Sequence, residues 1–256
     1  MNASPINKIP ILTYHSIDES GSVISTKSDI FRKQIKFLSE AGYKTISLET
    51  LGKHLRGQID LPPKTIVLTF DDGFQNFYTT AFPILSEYNF TATVFLITDY
   101  CGTFNDWSGN LPGLERSNLM NWDEIRELSN AGIEFGAHSL SHADLTRIST
   151  KAACHEIIGS KTAVEERLGK VVTAFAYPYG SYNTTIKRIT QEYFTIACTT
   201  NLGKVEANDD MYALKRLDTY YLSNERIFRQ VLSENFDWYI SFRQTMREVK
   251  AACYSK

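Results

Sequence analysis

Six short apolar runs, each about the length of one buried strand, recur along the chain at Ile9–Tyr14, Thr65–Phe70, Thr91–Ile97, Gly132–Ala137, Thr173–Tyr177 and Phe194–Cys198. Most of the stretches between them carry apolar residues at helical spacing. One helix is expected from Ser28, with Phe31, Ile35 and Leu38 on one face and Gly42 as its C-terminal stop. Another covers Thr150–Leu168, with Gly169 after it. Fully apolar strands joined through helices build a largely parallel sheet, so the pattern restricts the chain to α/β architectures. Periodicity alone leaves two forms open, a closed barrel or an open, doubly wound sheet.

The 256 residues, 43% of them hydrophobic, can bury one barrel-sized core. No linker rich in Pro, Gly or Ser and no internal repeat divides them. One domain over residues 1–256 is therefore expected, with a helical C-terminal extension from about Ser223 whose Phe236, Trp238, Tyr239 and Phe242 pack on it. The irregular region from about Asp99 to Asn121 reads as a long surface loop, either a solvated connector or one wall of a substrate groove. With 27 Lys and Arg against 29 Asp and Glu, a formal charge of -2 leaves no broad footprint for nucleic acid or an anionic membrane. No run reaches membrane-spanning length, and the N-terminus lacks a basic start followed by an apolar leader. As it stands the chain reads as cytoplasmic, or as extracytoplasmic if it is a piece of a longer precursor. Cys101, Cys154, Cys198 and Cys253 are dispersed, without the paired spacing of zinc or redox motifs, and read as structural thiols.

Four polar clusters directly follow expected strands: Tyr14-His15, Asp71-Asp72, His138 with His142, and Tyr177-Pro178-Tyr179-Gly180. In parallel α/β folds the C-terminal strand ends converge on one face, so these clusters can form one site. Adjacent carboxylates repel unless a cation sits beside them or one holds a proton. Asp71-Asp72-Gly73 is also ordinary turn chemistry, and His138 and His142 alone are compatible with surface or capping roles. Taken together, two imidazoles four residues apart and a carboxylate make a three-ligand catalytic metal site that leaves a position for water, with Asp72 as the candidate third ligand.

Three segments carry a resemblance to a known family. Thr69-Phe70-Asp71-Asp72-Gly73, His138-Ser139-Leu140-Ser141-His142 and Tyr177-Pro178-Tyr179-Gly180 are similar, in order and spacing, to the motifs of the polysaccharide deacetylases of the NodB-homology class, carbohydrate esterase family 4. The resemblance spans roughly Ile9 to Asp218 and implies a distorted (β/α) barrel of about seven strands. It further implies a divalent metal, usually zinc with cobalt, nickel or manganese as alternatives, and hydrolysis of an N-acetyl group on an amino sugar or glycan. By that resemblance Asp72, His138 and His142 bind the metal and Asp71 is the general base. The backbone N–H of Tyr179 helps stabilise the oxyanion.

Two departures from the family pattern matter. An Arg usually stands two residues before the Pro of the third motif, where this chain has Ala176. Arg216, on a late expected strand, is the candidate to orient Asp71 instead. The family's late Leu-x-His is also missing, since all five histidines lie at or before His155. His15 fills the role of general acid if the first strand takes the place of the last. A strand ending in Tyr-His and the segment Phe175-Ala176-Tyr177-Pro178 resemble the subgroup that includes the biofilm poly-N-acetylglucosamine deacetylases. His54 and His155 read as helix residues outside the site.

Two other functions compete with a metal-dependent N-deacetylase. A catalytically weak carbohydrate-binding protein of the same fold would explain the missing Arg and late His. A sugar isomerase or nuclease would demand more carboxylate ligands than these strand ends offer. Among the aromatic residues near the site, Tyr14, Tyr177, Trp107 and Trp122 fit core or rim packing better than sugar stacking, and Tyr179 is expected to line the pocket.

Overall fold

The computed structural model describes residues 8–110, 113–232 and 236–254. Its strands are β1 (Ile11–Tyr14), β2 (Ser16–Ile17), β3 (Ser25–Thr26), β4 (Lys44–Ile46), β5 (Thr65–Phe70), β6 (Thr93–Leu96), β7 (Glu134–Ala137), β8 (Ala174–Ala176), β9 (Ile196–Leu202) and β10 (Leu214–Asp218). The helices are α1 (Ser28–Glu40), α2 (Leu48–Leu55), α3 (Phe82–Glu87), α4 (Trp122–Asn130), α5 (Thr150–Leu168), α6 (Thr184–Tyr193), α7 (Glu225–Val231) and α8 (Asp237–Tyr254). Local chemistry sets many of their ends. Asn121 and Glu124 form a capping box ahead of α4, Ser149 caps α5, and Gly169 ends α5 in the left-handed conformation.

The first strand decides between an open and a closed sheet. β1 pairs with β10 on one edge, Leu12 opposite Leu217, and with β5 on the other, Ile11 through Tyr14 opposite Val67 through Phe70. With the parallel ladder β5-β6-β7-β8-β9-β10, these pairings close a seven-stranded barrel, and β4 adds to the first half of β5 outside the circuit. The fold is thus the distorted (β/α) barrel. The short strands β4, β2 and β3 carry no apolar run of their own in the sequence.

Period-two alternation then sorts the side chains. On β5, Ile66, Leu68 and Phe70 pack outward in the core shared with the helices, whereas Val67 belongs to the interior cluster with Ile11, Phe95, Ala174, Ala176, Cys198 and Leu214. Two residues further along, Thr13 and Thr69 meet through their hydroxyls at 3.3 Å. The same parity carries His15, Asp71, His138 and Arg216 to the inner side at the C-terminal end of the barrel.

β9 and β10 do not keep a regular register. Cys198 lies opposite Leu214 and Leu202 opposite Arg216, so two extra residues of β9 bulge out beside Arg216. Bulges of this kind re-aim side chains next to active sites. Past the barrel, α8 is tied to β9 by the Gln244 Oε1 acceptor for Leu202 N (2.9 Å) and by Arg247 Nη1 donating to Thr200 O (2.7 Å). Of the aromatic residues there, Tyr239 and Phe236 pack partly buried against the core, whereas Trp238 and Phe242 are exposed. They lie on the side of α8 opposite Ile240 and Gln244, the side the barrel does not reach. No helix among the described residues is long and apolar enough to cross a membrane.

Candidate active site

Asp71 and Asp72 follow the inner end of β5 with their backbones in different conformations. Asp72 has φ 71°, and Gly73 continues at φ 77°. This turn aims the two carboxylates apart. Of six described non-glycine residues with positive φ, four are Asp72, Ser139 (64°), His142 (59°) and Tyr179 (59°), all in this site. Non-glycine backbone of this kind costs on the order of 1–3 kcal/mol per residue, and its concentration in one pocket marks a functional geometry.

His138 and His142 complete a group with Asp72. The ligand atoms of the three residues lie within 4.8 Å of one another, and all three are buried. Asp72 Oδ1 stands 3.5 Å from His138 Nε2 and 3.6 Å from His142 Nε2, too long for strong hydrogen bonds. Two ligands about 2.1 Å from one ion at a tetrahedral angle are roughly 3.4 Å apart, so the spacing fits a small divalent metal. Asp72 Oδ1 is buried with no hydrogen-bond partner, which an ion would remedy. His138 Nδ1 lies 2.7 Å from Ala176 O, an acceptor that fixes the proton on Nδ1 and leaves Nε2 its lone pair. Ser139 Oγ accepts from His142 N at 2.9 Å, a loop-shaping role. Burial raises the Asp72 carboxyl above its ordinary value, while burial, with His138 adjacent, pushes the His142 imidazole down to about 2.

Asp71 is held apart from this group. Arg216 grips it through Nη1 to Oδ1 (2.8 Å) and Nη2 to Oδ2 (2.7 Å). The guanidinium is itself braced by Thr69 Oγ1 at 3.2 Å and Thr199 O at 2.9 Å. Burial works to raise the Asp71 carboxyl, but the Arg216 charge and hydrogen bonds outweigh it and hold the group well below the usual carboxylate range. His15 Nε2 lies 3.9 Å from Asp71 Oδ2, and its side chain keeps partial contact with solvent. β1 lies between β5 and β10, so His15 from the end of β1 and Arg216 from β10 approach Asp71 from the same side. Ala176 points into the interior on the other side and contributes its carbonyl rather than a cation.

The aromatic residues divide by the same parity. Tyr14 faces outward, stacking on Phe70 and donating to Gln34 Oε1 at 2.9 Å, and Tyr177 donates to Tyr212 O at 3.0 Å. Tyr179 is 41% exposed and sets its ring 4.5 Å from that of His142. Trp122 opens α4 away from the pocket, with Arg167 over its ring. His54 Nδ1 lies 2.9 Å from Ile59 O, and His155 is exposed on α5; neither joins the site. Trp107 is the residue that sequence reasoning set aside, for it is buried against His142 with ring centroids 5.1 Å apart. A tryptophan within a long aperiodic loop carries no local signal of that contact.

A profile of the family described as polysaccharide deacetylase matches residues 58–194, more than half of the chain. The chain belongs to the polysaccharide deacetylase family. Asp71, Asp72, His138, His142 and Tyr179 fall inside the matched segment of this polysaccharide deacetylase, and His15 and Arg216 fall outside it. The Streptococcus pyogenes deacetylase PplD, solved in complex with acetate, superposes with a TM-score of 0.78 at 28% identity, over 89% of this chain and 99% of that one. The Bacillus subtilis (strain 168) protein YxkH is 28% identical over 211 residues, 82% of this chain and 71% of that protein. The Escherichia coli (strain K12) poly-beta-1,6-N-acetyl-D-glucosamine N-deacetylase is 28% identical over 141 residues, 53% of this chain. The matched part is 21% of that longer relative.

Proposed function

We propose that this polysaccharide deacetylase hydrolyses the N-acetyl group of an amino sugar within a glycan and depends on one divalent metal ion, zinc first among the candidates, held by Asp72, His138 and His142. The observation that carries the reading is the split between the two aspartates: Asp72 Oδ1 faces both imidazoles, while Arg216 holds Asp71 off that group. When bound, the ion would acidify a water and polarise the acetamide carbonyl. Asp71, kept ionised by Arg216, is the base that would take a proton from the attacking water. The backbone N–H of Tyr179 donates to the oxygen that becomes negative as the carbon turns tetrahedral. His15 hands a proton to the departing sugar amine, which would otherwise be a poor leaving group.

The family membership and the N-deacetylase named among the relatives support a glycan substrate, and the acetate-bound PplD structure supports release of acetate. The binding-only reading rested on two missing residues, and Arg216 and His15 supply groups of the same type beside Asp71. The test is acetate release from β-1,6-linked N-acetylglucosamine oligomers, before and after chelation and again with zinc or cobalt restored. Release should vanish with the chelator and return with the ion. Asp71→Asn should lower turnover by about 10²- to 10⁴-fold with one ion still bound. No acetate from any N-acetylated oligomer while an ion is bound would overturn the proposal.

A further inference from the structure

The two histidines of the candidate metal group are oriented by different means. His138 has a carbonyl on Nδ1, but His142 Nδ1 is buried without a hydrogen-bond partner among the described residues. Its ring instead lies between two aromatic side chains. Trp107 approaches with centroids 5.1 Å apart and planes at 49°, and Tyr179 at 4.5 Å and 65°. Both come from segments fastened to each other, since Tyr179 Oη donates to Gly109 O at 3.2 Å, two residues beyond Trp107. Trp107 is further fixed edge-on by Tyr100, at 5.7 Å and 80°, and by the small cluster of Phe74, Ile97 and Leu119. An imidazole without a hydrogen-bonded partner can rotate about its side-chain bonds unless packing stops it, and here packing is what stops it.

We infer that Trp107 and Tyr179 are positioning residues that clamp the His142 imidazole for metal binding, so that the loop between β6 and α4 sets the affinity of the site. The inference rests on the metal-binding reading above. It assigns to two aromatic rings the orienting task that a hydrogen-bonded carbonyl or carboxylate usually performs for a metal-binding histidine. Ring contact, not the indole N–H, does the work: Trp107 Nε1 also has no hydrogen-bond partner.

The experiment is competition for zinc against a chromogenic chelator, together with the visible absorption spectrum of the cobalt-loaded full chain. Trp107→Ala should weaken zinc binding by roughly 10- to 100-fold, the range for lost partners of metal-binding histidines. Trp107→Phe should restore most of it, because a ring remains. Tyr179→Ala, at a half-exposed position where no core cavity opens, should show the same weakening, and Tyr179→Phe should not. Both alanine variants should alter the cobalt spectrum. Leu119→Ala loosens the cluster behind Trp107 but leaves both rings in place, and should lower Tm while weakening zinc binding far less than Trp107→Ala does. Equal zinc affinity in wild type and both alanine variants would overturn the clamp, as would a loss in Leu119→Ala equal to that in Trp107→Ala. No zinc bound by the wild type would overturn the metal site itself, a result distinct from failure of the clamp alone.

Discussion

Arg216 holds both oxygens of Asp71 at 2.7–2.8 Å, with both side chains buried at the inner end of the barrel. Removing one partner of such a pair leaves the other charge without compensation. Arg216→Met should therefore destabilise the protein by about 3–5 kcal/mol, measured by denaturant unfolding. The pH dependence should change sign as well. In the wild type Asp71 titrates below its unfolded value, so its stabilising contribution is present above the ordinary carboxylate pKa and fades as pH falls through the folded one. Without Arg216, burial dominates and raises the pKa, so the variant should lose stability as pH rises through that raised value. Arg216→Lys keeps a charge without the two-pronged grip, and should recover part of the stability and little of the turnover.

That pairing also marks the boundary of what the sequence could tell. Alternation along β5 is visible in Ile66-Val67-Leu68-Thr69-Phe70, and it puts Asp71 on the same side as Val67 and Thr69. Asp72, His138 and His142 declare themselves through residue type and spacing at strand ends. Arg216 and His15 are named in the sequence only as stand-ins for two residues missing from the family pattern, because their relation to Asp71 depends on β1 closing the sheet between β5 and β10, a pairing of segments about 200 residues apart. Trp107 is harder still, since an aperiodic loop has no parity from which its direction could be read.

Asp72→Asn separates charge from shape. Asn tolerates the left-handed backbone about as well as Asp, so the φ of 71° should survive the change. Burial raises the Asp72 carboxyl above its unfolded value, so the ionised form opposes folding at neutral pH in the metal-free protein. The variant should bind zinc far more weakly, yet its metal-free Tm at neutral pH should match or exceed that of the wild type. As pH falls through the raised pKa, the wild-type carboxyl takes up its proton and the gap should close. Thermal unfolding in chelator at a series of pH values checks this; a lower Tm for the variant throughout would count against a functional origin of the buried charge.

His15→Asn tests proton delivery to the leaving group. The ring lies 3.9 Å from Asp71 Oδ2 and outside the Asp72, His138 and His142 group, so metal stoichiometry should be unchanged. Hydrolysis of the amide should fall by about 10²- to 10⁴-fold, since an amine departs poorly without a proton. An acetate ester of a phenol needs no such help, because the phenolate is a stable leaving group. Its hydrolysis should fall much less, and equal losses on both substrates would show that His15 does not act at the departing nitrogen.

Gly180→Ala should report on the turn that carries Tyr179. A Cβ at Gly180 would lie 2.2 Å from Thr200 Oγ1 and 2.7 Å from Thr200 N, in a backbone already at φ 71°. Thr200 cannot easily retreat, because its carbonyl is held by Arg247 of α8 at 2.7 Å and its strand is the one that bulges beside Arg216. The strain should fall on the Tyr179 turn, moving both the proposed oxyanion donor and the ring that faces His142. Overpacking of this kind costs about 1–3 kcal/mol of stability, whereas a misplaced oxyanion donor costs roughly 10²- to 10³-fold in kcat. The expected signature is a modest drop in Tm beside a large drop in kcat, with KM little changed. Thr200→Gly in the same chain removes the hydroxyl and Cβ from the clash but leaves the backbone N at 2.7 Å and puts a glycine within β9, so it should relieve the strain only in part and restore neither Tm nor kcat fully.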